Sequence, residues 1–441
     1  MMFTKEDLKK LLIPLLLEQL LSVMVGMVDI MMVGAVGEAA VSGVSLVDAI
    51  NLLIIQVFSA MATGGAVVIS QYLGKERPEN ACMAANQLVL VSALLSLAIT
   101  LLALAGNDFI ISRVFGQIEE DVYQNARIYF YYTALSFPFL AVYNACAALY
   151  RSMGNSRVSM LTSLMMNAIN IAGNSICIFI LHMGVAGVAI PTLISRMAAA
   201  AVMLMLCRNQ KNTVHIDRYF RLGFQPAMIK KILRIGIPNG MENGMFQLGK
   251  IMVQSLVSTM GTSATAAFAV ASNLATLEYL PGNALSLGLI TISGQCVGAG
   301  KYDQASYYTK LLVKLDYLML AVICAVLVLF GGPITAVYGL SPETASITRN
   351  LITLHSFLMI LWPPAFVMPY TFRASGDVKF TMYVSVLSMW IFRIGVSYLM
   401  VKVFGMDIYS VWIAMGIDWV CRLLFYTWRF ASGKWKQHLI A

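Results

Sequence analysis

"IPLLLEQL" at residues 13–20 and "IPNGMENG" at 237–244 place the same two anomalies near the start of long apolar runs. Each has a proline followed four residues later by a glutamate. A proline inside a helix removes one backbone donor and clashes with the preceding turn, so it kinks or hinges the helix. An acid inside an apolar run is costly in lipid and points to function by default. The interval from Pro14 to Pro238 equals that from Glu18 to Glu242. The two stretches therefore read as the first helix of a unit that occurs twice.

Composition agrees. Of the 441 residues, 59% are hydrophobic and only 12% are charged, against about a quarter charged in soluble domains. A chain this long can build a soluble core without such apolarity, whereas a bilayer requires it. Windows of roughly 20 apolar residues, enough to cross about 30 Å of hydrocarbon, fall in twelve places. They are 8–33, 44–72, 82–106, 122–149, 159–182, 185–207, 230–258, 266–296, 307–330, 346–372, 379–404 and 408–428. The run after "MMFTKEDLKK" is too long for a signal-peptide core and reads as the first span.

The net charge of +9 is explained by its placement. Lys5, Lys9 and Lys10 precede the first span; Lys75 and Arg77 follow the second; Arg151 and Arg157 follow the fourth. The connector between the sixth and seventh carries Arg208, Lys211, Arg218, Arg221, Lys230, Lys231 and Arg234. Lys301, then Arg373 and Lys379, then Lys434 and Lys436 follow the eighth, tenth and twelfth. Loops 34–43, 183–184, 259–265 and 331–345 have no Lys or Arg, and 107–121 sets one arginine among four acids. By the positive-inside rule both termini are expected in the cytoplasm of a cell-membrane protein. No basic patch is left over for nucleic acid.

The repeat extends beyond the opening stretches. "SQYLGKERPENA" at 70–81 matches "GQCVGAGKYDQA" at 294–305, and "YRSMGNSRVSM" at 150–160 matches "FRASGDVKFTM" at 372–382. Six spans separate matching helices, so the halves keep one orientation and are expected to be related by a pseudo-two-fold axis along the membrane normal. The expected organisation is an N-terminal lobe at 1–210, a cytoplasmic connector at 211–228 and a C-terminal lobe at 229–441. Pro14 and Pro238 are the candidate hinges, with a static kink as the alternative.

Charges within the spans mark candidate sites. Asp29 in "VGMVDIMMVG" lies eleven residues after Glu18, nearly three full turns, so both face one way. In "MMNAINIAGNSICIF" Asn167, Asn170 and Asn174 form a polar stripe, and Thr192 lies in the sixth span. A carboxylate, amides and a hydroxyl can surround a protonated carboxyl or a bare sodium ion. Alternatively the asparagines are interhelical glue, worth about 0.6 kcal/mol per bond. The second half departs from the first: Val253 matches Asp29, and Lys250 follows Glu242 by eight residues. Glu242 and Lys250 either pair or line a cavity as separate charges. Asp418 and Arg422 form an i,i+4 pair of structural type; Arg196 and Arg393 need partners that the sequence does not assign.

Other chemistry is not signalled. Seven single cysteines lack any CxxC spacing, and the four histidines are scattered. "GQCVGAGK" at 294–301 fails as a phosphate loop, because its spacing is wrong and Tyr302 follows Lys301. No catalytic cluster emerges, so an enzyme is not expected, and neither is a cofactor or a bound metal beyond a transported ion.

The "IP…VDIMMVG" first helix, the turns after the second and eighth helices, and the "YRSMGN" and "FRASGD" turns resemble the multidrug and toxic compound extrusion (MATE) transporters. The resemblance spans nearly the whole chain. It implies an all-α bundle of two six-helix lobes with a central cavity, exporting drugs or organic cations against inward protons or sodium. It implies a cation site at Asp29, Asn170, Asn174 and Thr192, where asparagine at 174 replaces an aspartate found in some members and leaves Asp29 the only acid of that set. A C-lobe cation site using acids of the seventh and tenth helices is not expected, since "MILWPPAFVMPYTF" at 359–372 holds none. Glu18, Glu242 and Lys250 are candidates for lining the substrate cavity. Drugs or organic cations and membrane lipids are the expected partners of a monomer. A lipid-linked sugar flippase of related architecture is the rival; it would want a strongly cationic cavity, whereas Lys250 is offset by Glu18, Glu242 and Asp29.

Overall fold

The computed structural model describes residues 1–115, 119–217 and 223–440. Arg218 and Arg221 of the connector, and part of the 107–121 loop, lie outside the described residues. Among the described residues twelve long helical stretches follow the expected spans. They are α1 (Lys5–Val36), α2 (Glu38–Gly74), α3 (Pro78–Ala105), α4 (Glu120–Ser152), α5 (Ser156–Ile180), α6 (Ala186–Cys207), α7 (Pro226–Ser258), α8 (Thr262–Gly298), α9 (Tyr302–Leu329), α10 (Pro342–Leu361 with Pro363–Ser375), α11 (Val378–Val403) and α12 (Ile408–Ala431). Among the described residues nine of these are long and apolar enough to cross a membrane, and α10 is a tenth if its two parts form one span. α7 and α8 are as long but more polar, with Glu242 and Lys250 in one and Asn273, Glu278 and Asn283 in the other.

The α10 halves meet at 61°. Pro363 and Pro364 sit at the break, removing two donors in succession, and a π-turn carries the chain on to Pro369. α1 and α7, by contrast, run as unbroken helices through Pro14 and Pro238.

The chain folds as two compact units, Phe3–Gly240 and Met241–Ile440, the second also holding Met1–Met2. Residues 226–240 of α7 thus pack with the first unit. Gly64 permits this: a Cβ there would lie 2.6 Å from the Ile232 carbonyl oxygen, so only glycine lets the backbones approach.

The internal repeat reappears in backbone hydrogen bonds. After α2, the Glu76 N–H donates to the Leu73 oxygen and the Arg77 N–H to the Tyr72 oxygen, both at 3.0 Å. After α8, at the matching positions of the second half, the Gly300 N–H donates to the Val297 oxygen at 3.0 Å and the Lys301 N–H to the Cys296 oxygen at 2.8 Å. The turns after α4 and α10 repeat likewise. Gly154 and Gly376, both at positive φ, supply the left-handed residue that closes each helix.

In the first unit α1 and α5 run side by side in the same direction. Ser156 donates to the Leu11 carbonyl, Ser159 donates to Glu18 at 3.1 Å, and Asn174 donates to Asp29 at 3.1 Å. From the first contact to the last, each helix advances by the same eighteen residues, about 27 Å at 1.5 Å per residue. The other face of α1 presents Ile13, Leu17, Leu20, Met24 and Met27 as exposed apolar side chains, the pattern of a lipid-facing surface.

Candidate functional site in the first unit

Asp29, Asn174, Asn170 and Thr192 form one connected chain of hydrogen bonds. Asn174 Nδ2 donates to Asp29 Oδ1 at 3.1 Å and to Asn170 Oδ1 at 3.2 Å. Asn170 Nδ2 donates to Thr192 Oγ1 at 3.0 Å, and the Thr192 hydroxyl donates to the Val188 carbonyl at 2.9 Å. Three helices supply the four side chains. Spacing by four puts Asn170 and Asn174 on one face of α5. Gly173 lets that face close on α6, since a Cβ there would lie 2.7 Å from Pro191 Cβ. Asn167 stands outside these bonds.

Asn170 and Asn174 are buried, and Asn174 Oδ1 has no hydrogen-bond partner. A buried acceptor without a donor costs roughly 1–3 kcal/mol. The cluster therefore offers an unsatisfied amide oxygen beside a carboxylate that has taken one donor from it. That donor set accommodates a proton on Asp29 or a small hard cation held by oxygens.

The sequence reading missed a second acid. Asp48, one turn after the start of its expected span, lies close enough to Asp29 and to the Arg196 guanidinium to interact with both. The Tyr129 hydroxyl donates to Asp48 Oδ1 at 3.1 Å and Asn51 Nδ2 does so at 3.4 Å. Arg196, whose partner the sequence could not name, donates to Ser136 Oγ at 2.7 Å and sits in the field of both acids. An acid inside an expected span was the available signal for Asp48.

Glu18 and Glu242 each meet an arginine of their own unit. Arg151 Nη2 lies 2.8 Å from Glu18 Oε1, and Arg373 Nη2 lies 2.7 Å from Glu242 Oε1. The pairing of Glu242 with Lys250 that the sequence left open is not made. Lys250 instead lies over the Phe246 ring, 5.2 Å from its centre, and Arg393 shares that ring at 5.7 Å. Asp418 and Arg422 pair at 2.9 Å as expected, fully buried and backed by Ser388 and the Ser385 carbonyl. Val253, the counterpart of Asp29, lies in the hydrophobic core of the second unit.

The MatE family model matches twice, at residues 14–176 and 238–399, so each match begins on one of the paired prolines. The chain belongs to the MatE family. It is therefore a multi-span membrane transporter, not an enzyme. Among its relatives, the probable multidrug resistance protein YoeA of Bacillus subtilis is 25% identical, over 97% of this chain and 94% of that protein. The uncharacterized transporter YisQ of Bacillus subtilis is 28% identical, over 96% and 93%. The probable multidrug resistance protein NorM of Thermotoga maritima is 24% identical, over 99% and 94%. A MATE protein solved in a bent conformation superposes with a TM-score of 0.89 at 19% identity, covering 98% of this chain and 96% of that one. An outward-facing multidrug resistance MATE transporter gives 0.90 at 19%, covering 97% and 96%. The all-helical MATE fold expected from the sequence is thus established.

Proposed function

We propose that this MatE transporter exports small organic compounds, organic cations among them, across the cell membrane by alternating access, coupled to inward movement of protons or sodium at Asp29. The observation that carries the reading is the Asp29–Asn174–Asn170–Thr192 hydrogen-bond chain with its unpartnered Asn174 oxygen. With Asp29 ionised, the Asn174 amide N–H holds the carboxylate. Once Asp29 takes a proton, its own O–H can donate to the Asn174 oxygen that now lacks a donor. A sodium ion would satisfy the same oxygens from a central position. Either event rearranges the uppermost of the three contacts holding α1 to α5, and so changes how α1 packs.

The energy suffices. One charge moving through 100 mV supplies about 2.3 kcal/mol before any concentration gradient. Relatives named as probable multidrug resistance proteins support the substrate class. The solved neighbours described as bent, straight and outward-facing support a cycle in which helices change shape. Basic residues on alternate loops support cytoplasmic termini. Glu18 and Glu242, held by arginines, act in this reading as clamps on the first helix of each half.

The test is export from vesicles with pH and sodium gradients imposed separately. Acceleration by one gradient in the wild type, lost in Asp29→Asn, identifies the ion. Export indifferent to both gradients would end the antiport reading.

A further inference from the structure

Positive charge gathers around one aromatic ring of the second unit. Three cations approach the Phe246 ring of α7: Lys250 Nζ at 5.2 Å from its centre, the Arg393 guanidinium at 5.7 Å and the Arg422 guanidinium at 5.9 Å. Arg422 is answered by Asp418 at 2.9 Å on its own helix. Lys250 and Arg393 are not answered. Among the described residues neither side chain forms a hydrogen bond or an ion pair.

The acids that the sequence set against Lys250 are engaged elsewhere. Arg373 holds Glu242, Arg151 holds Glu18, and Asn174 donates to Asp29. In the second unit Lys250, Arg373, Arg393 and Arg422 therefore face only Glu242 and Asp418, and two positive charges are left over.

Packing holds those two charges together. Gly249 lets α7 close on α11, since a Cβ there would collide with Met389 and lie 3.1 Å from Ile394 Cδ1. Lys250 follows Gly249 and Arg393 precedes Ile394, and the two cations are close enough to repel. Arg393 belongs to the stretch Met389–Gly395, where the chain winds as a π-helix, a distortion frequent at functional sites. Lys250 does not reach for the membrane surface. The nearer end of α7 is Ser258, whereas its ammonium lies over Phe246, one turn the other way; a snorkelling lysine would extend toward the near end. Its side chain is exposed, and a cation facing lipid is costly, so Lys250 faces a space open to water and solutes.

We propose that Lys250 and Arg393, over Phe246, form an anion subsite that receives the carboxylate of an aromatic substrate. The planar guanidinium takes both carboxylate oxygens, and the ammonium adds a point charge beside them. The bound anion satisfies both cations and removes their repulsion. Phe246, half-buried, offers an aromatic surface next to the charges. A substrate that is purely cationic at this end is repelled, so the subsite selects aromatic acids and zwitterions.

The transport role rests on the exporter reading and deepens it by naming a substrate class, whereas the subsite is testable without transport. Purified full-length protein in detergent is titrated into rhodamine B and into its ethyl ester, with binding read by fluorescence anisotropy. The dyes share one ring system and one positive charge, and only the free acid carries a carboxylate. The wild type should bind the free acid about tenfold more tightly than the ester, the scale of one charge-assisted contact. Lys250→Met should abolish that preference, and Lys250→Arg, which keeps the charge, should retain it. Arg393→Gln should also abolish it, and serves alone should Lys250→Met fail to fold. A wild type without the preference, or a preference that survives either substitution, overturns the subsite. Phosphatidylglycerol added to the micelles should leave the preference unchanged; displacement of the free acid alone would assign the two cations to a lipid phosphate and overturn the substrate class. In proteoliposomes Lys250→Met should lower gradient-driven export of the free acid at least tenfold and spare the ester. Equal loss of both dyes overturns the selective role. Wild-type export that ignores every imposed gradient would end the antiport reading instead, and the binding preference stands or falls without it.

Discussion

Glu242 and Arg373 meet at 2.7 Å in the second unit, and Glu18 and Arg151 meet at 2.8 Å in the first. All four residues belong to the internal repeat, so the buried acid after each proline has one explanation in both halves. It anchors the first helix of a six-helix unit to the turn that ends the fourth. The two pairs differ in burial: Arg373 is 7% exposed and Arg151 is 19% exposed.

Removing one partner of a buried pair leaves an uncompensated charge, typically costing about 3–5 kcal/mol. Glu242→Gln is therefore expected to lower the thermal midpoint in detergent more than Glu18→Gln, whose arginine keeps some access to solvent. Glu242→Gln with Arg373→Gln should recover part of the loss. A double variant no better than the single one would show that the pair does not act as a clamp.

The two turn glycines separate conformational strain from steric exclusion. Gly154 and Gly376 both hold left-handed backbone, where an added Cβ costs roughly 1–2 kcal/mol. At Gly154 that Cβ would meet open space, whereas at Gly376 it would collide with the His438 carbonyl oxygen. Gly376→Ala should destabilise clearly more than Gly154→Ala in thermal unfolding. Equal effects would mean that the C-terminal segment moves aside freely.

Asp29 and Asp48 share the field of Arg196 but not the same bonds. Asp29 takes one donor, from an asparagine that has an unpartnered oxygen; Asp48 takes donors from Tyr129 and Asn51. Asp29→Asn should abolish gradient-driven export at normal expression. Asp48→Asn should leave export running but shift its dependence on pH or sodium, because it changes the field around Asp29 and not its ligands. Export from Asp48→Asn as deficient as from Asp29→Asn would make the two acids one site.

The long helices were legible because lipid demands runs of apolar residues, and the repeat was legible because the turns that end helices need particular residues at fixed places. Asp29, Asn170, Asn174 and Thr192 were found as polar residues on apolar faces, and the structure brings all four together. Partners across helices were not legible. Nothing local to Glu242 distinguishes Arg373, at the end of a helix far along the chain, from Lys250 on the same helix. Asp48, Glu278, Asp316 and His355 each occur once in an apolar stretch. Only the packing of separate helices reveals that Glu278 meets His355, and that Asp48 lies within electrostatic reach of Asp29.

The paired prolines should not be equivalent. Pro14 lies in a helix that carries Asp29 and exposes much of its apolar face, so α1 has an ion site to respond to and a surface free to move. Pro238 lies where α7 packs within the first unit: nearby Gly236 has the Met61 sulfur at 3.2 Å from its would-be Cβ, and Asn239 is buried. Farther along, Val253 replaces the acid and packs in a hydrophobic core. Alanine at either site restores a backbone donor and favours a straighter helix. Pro14→Ala is expected to reduce gradient-driven export several-fold while ion binding at Asp29, measured on purified protein, survives. Pro238→Ala is expected to change export little and to act on thermal stability. Equal loss of export from both variants, or none from Pro14→Ala, would make these prolines fixed features of helix shape with no part in coupling.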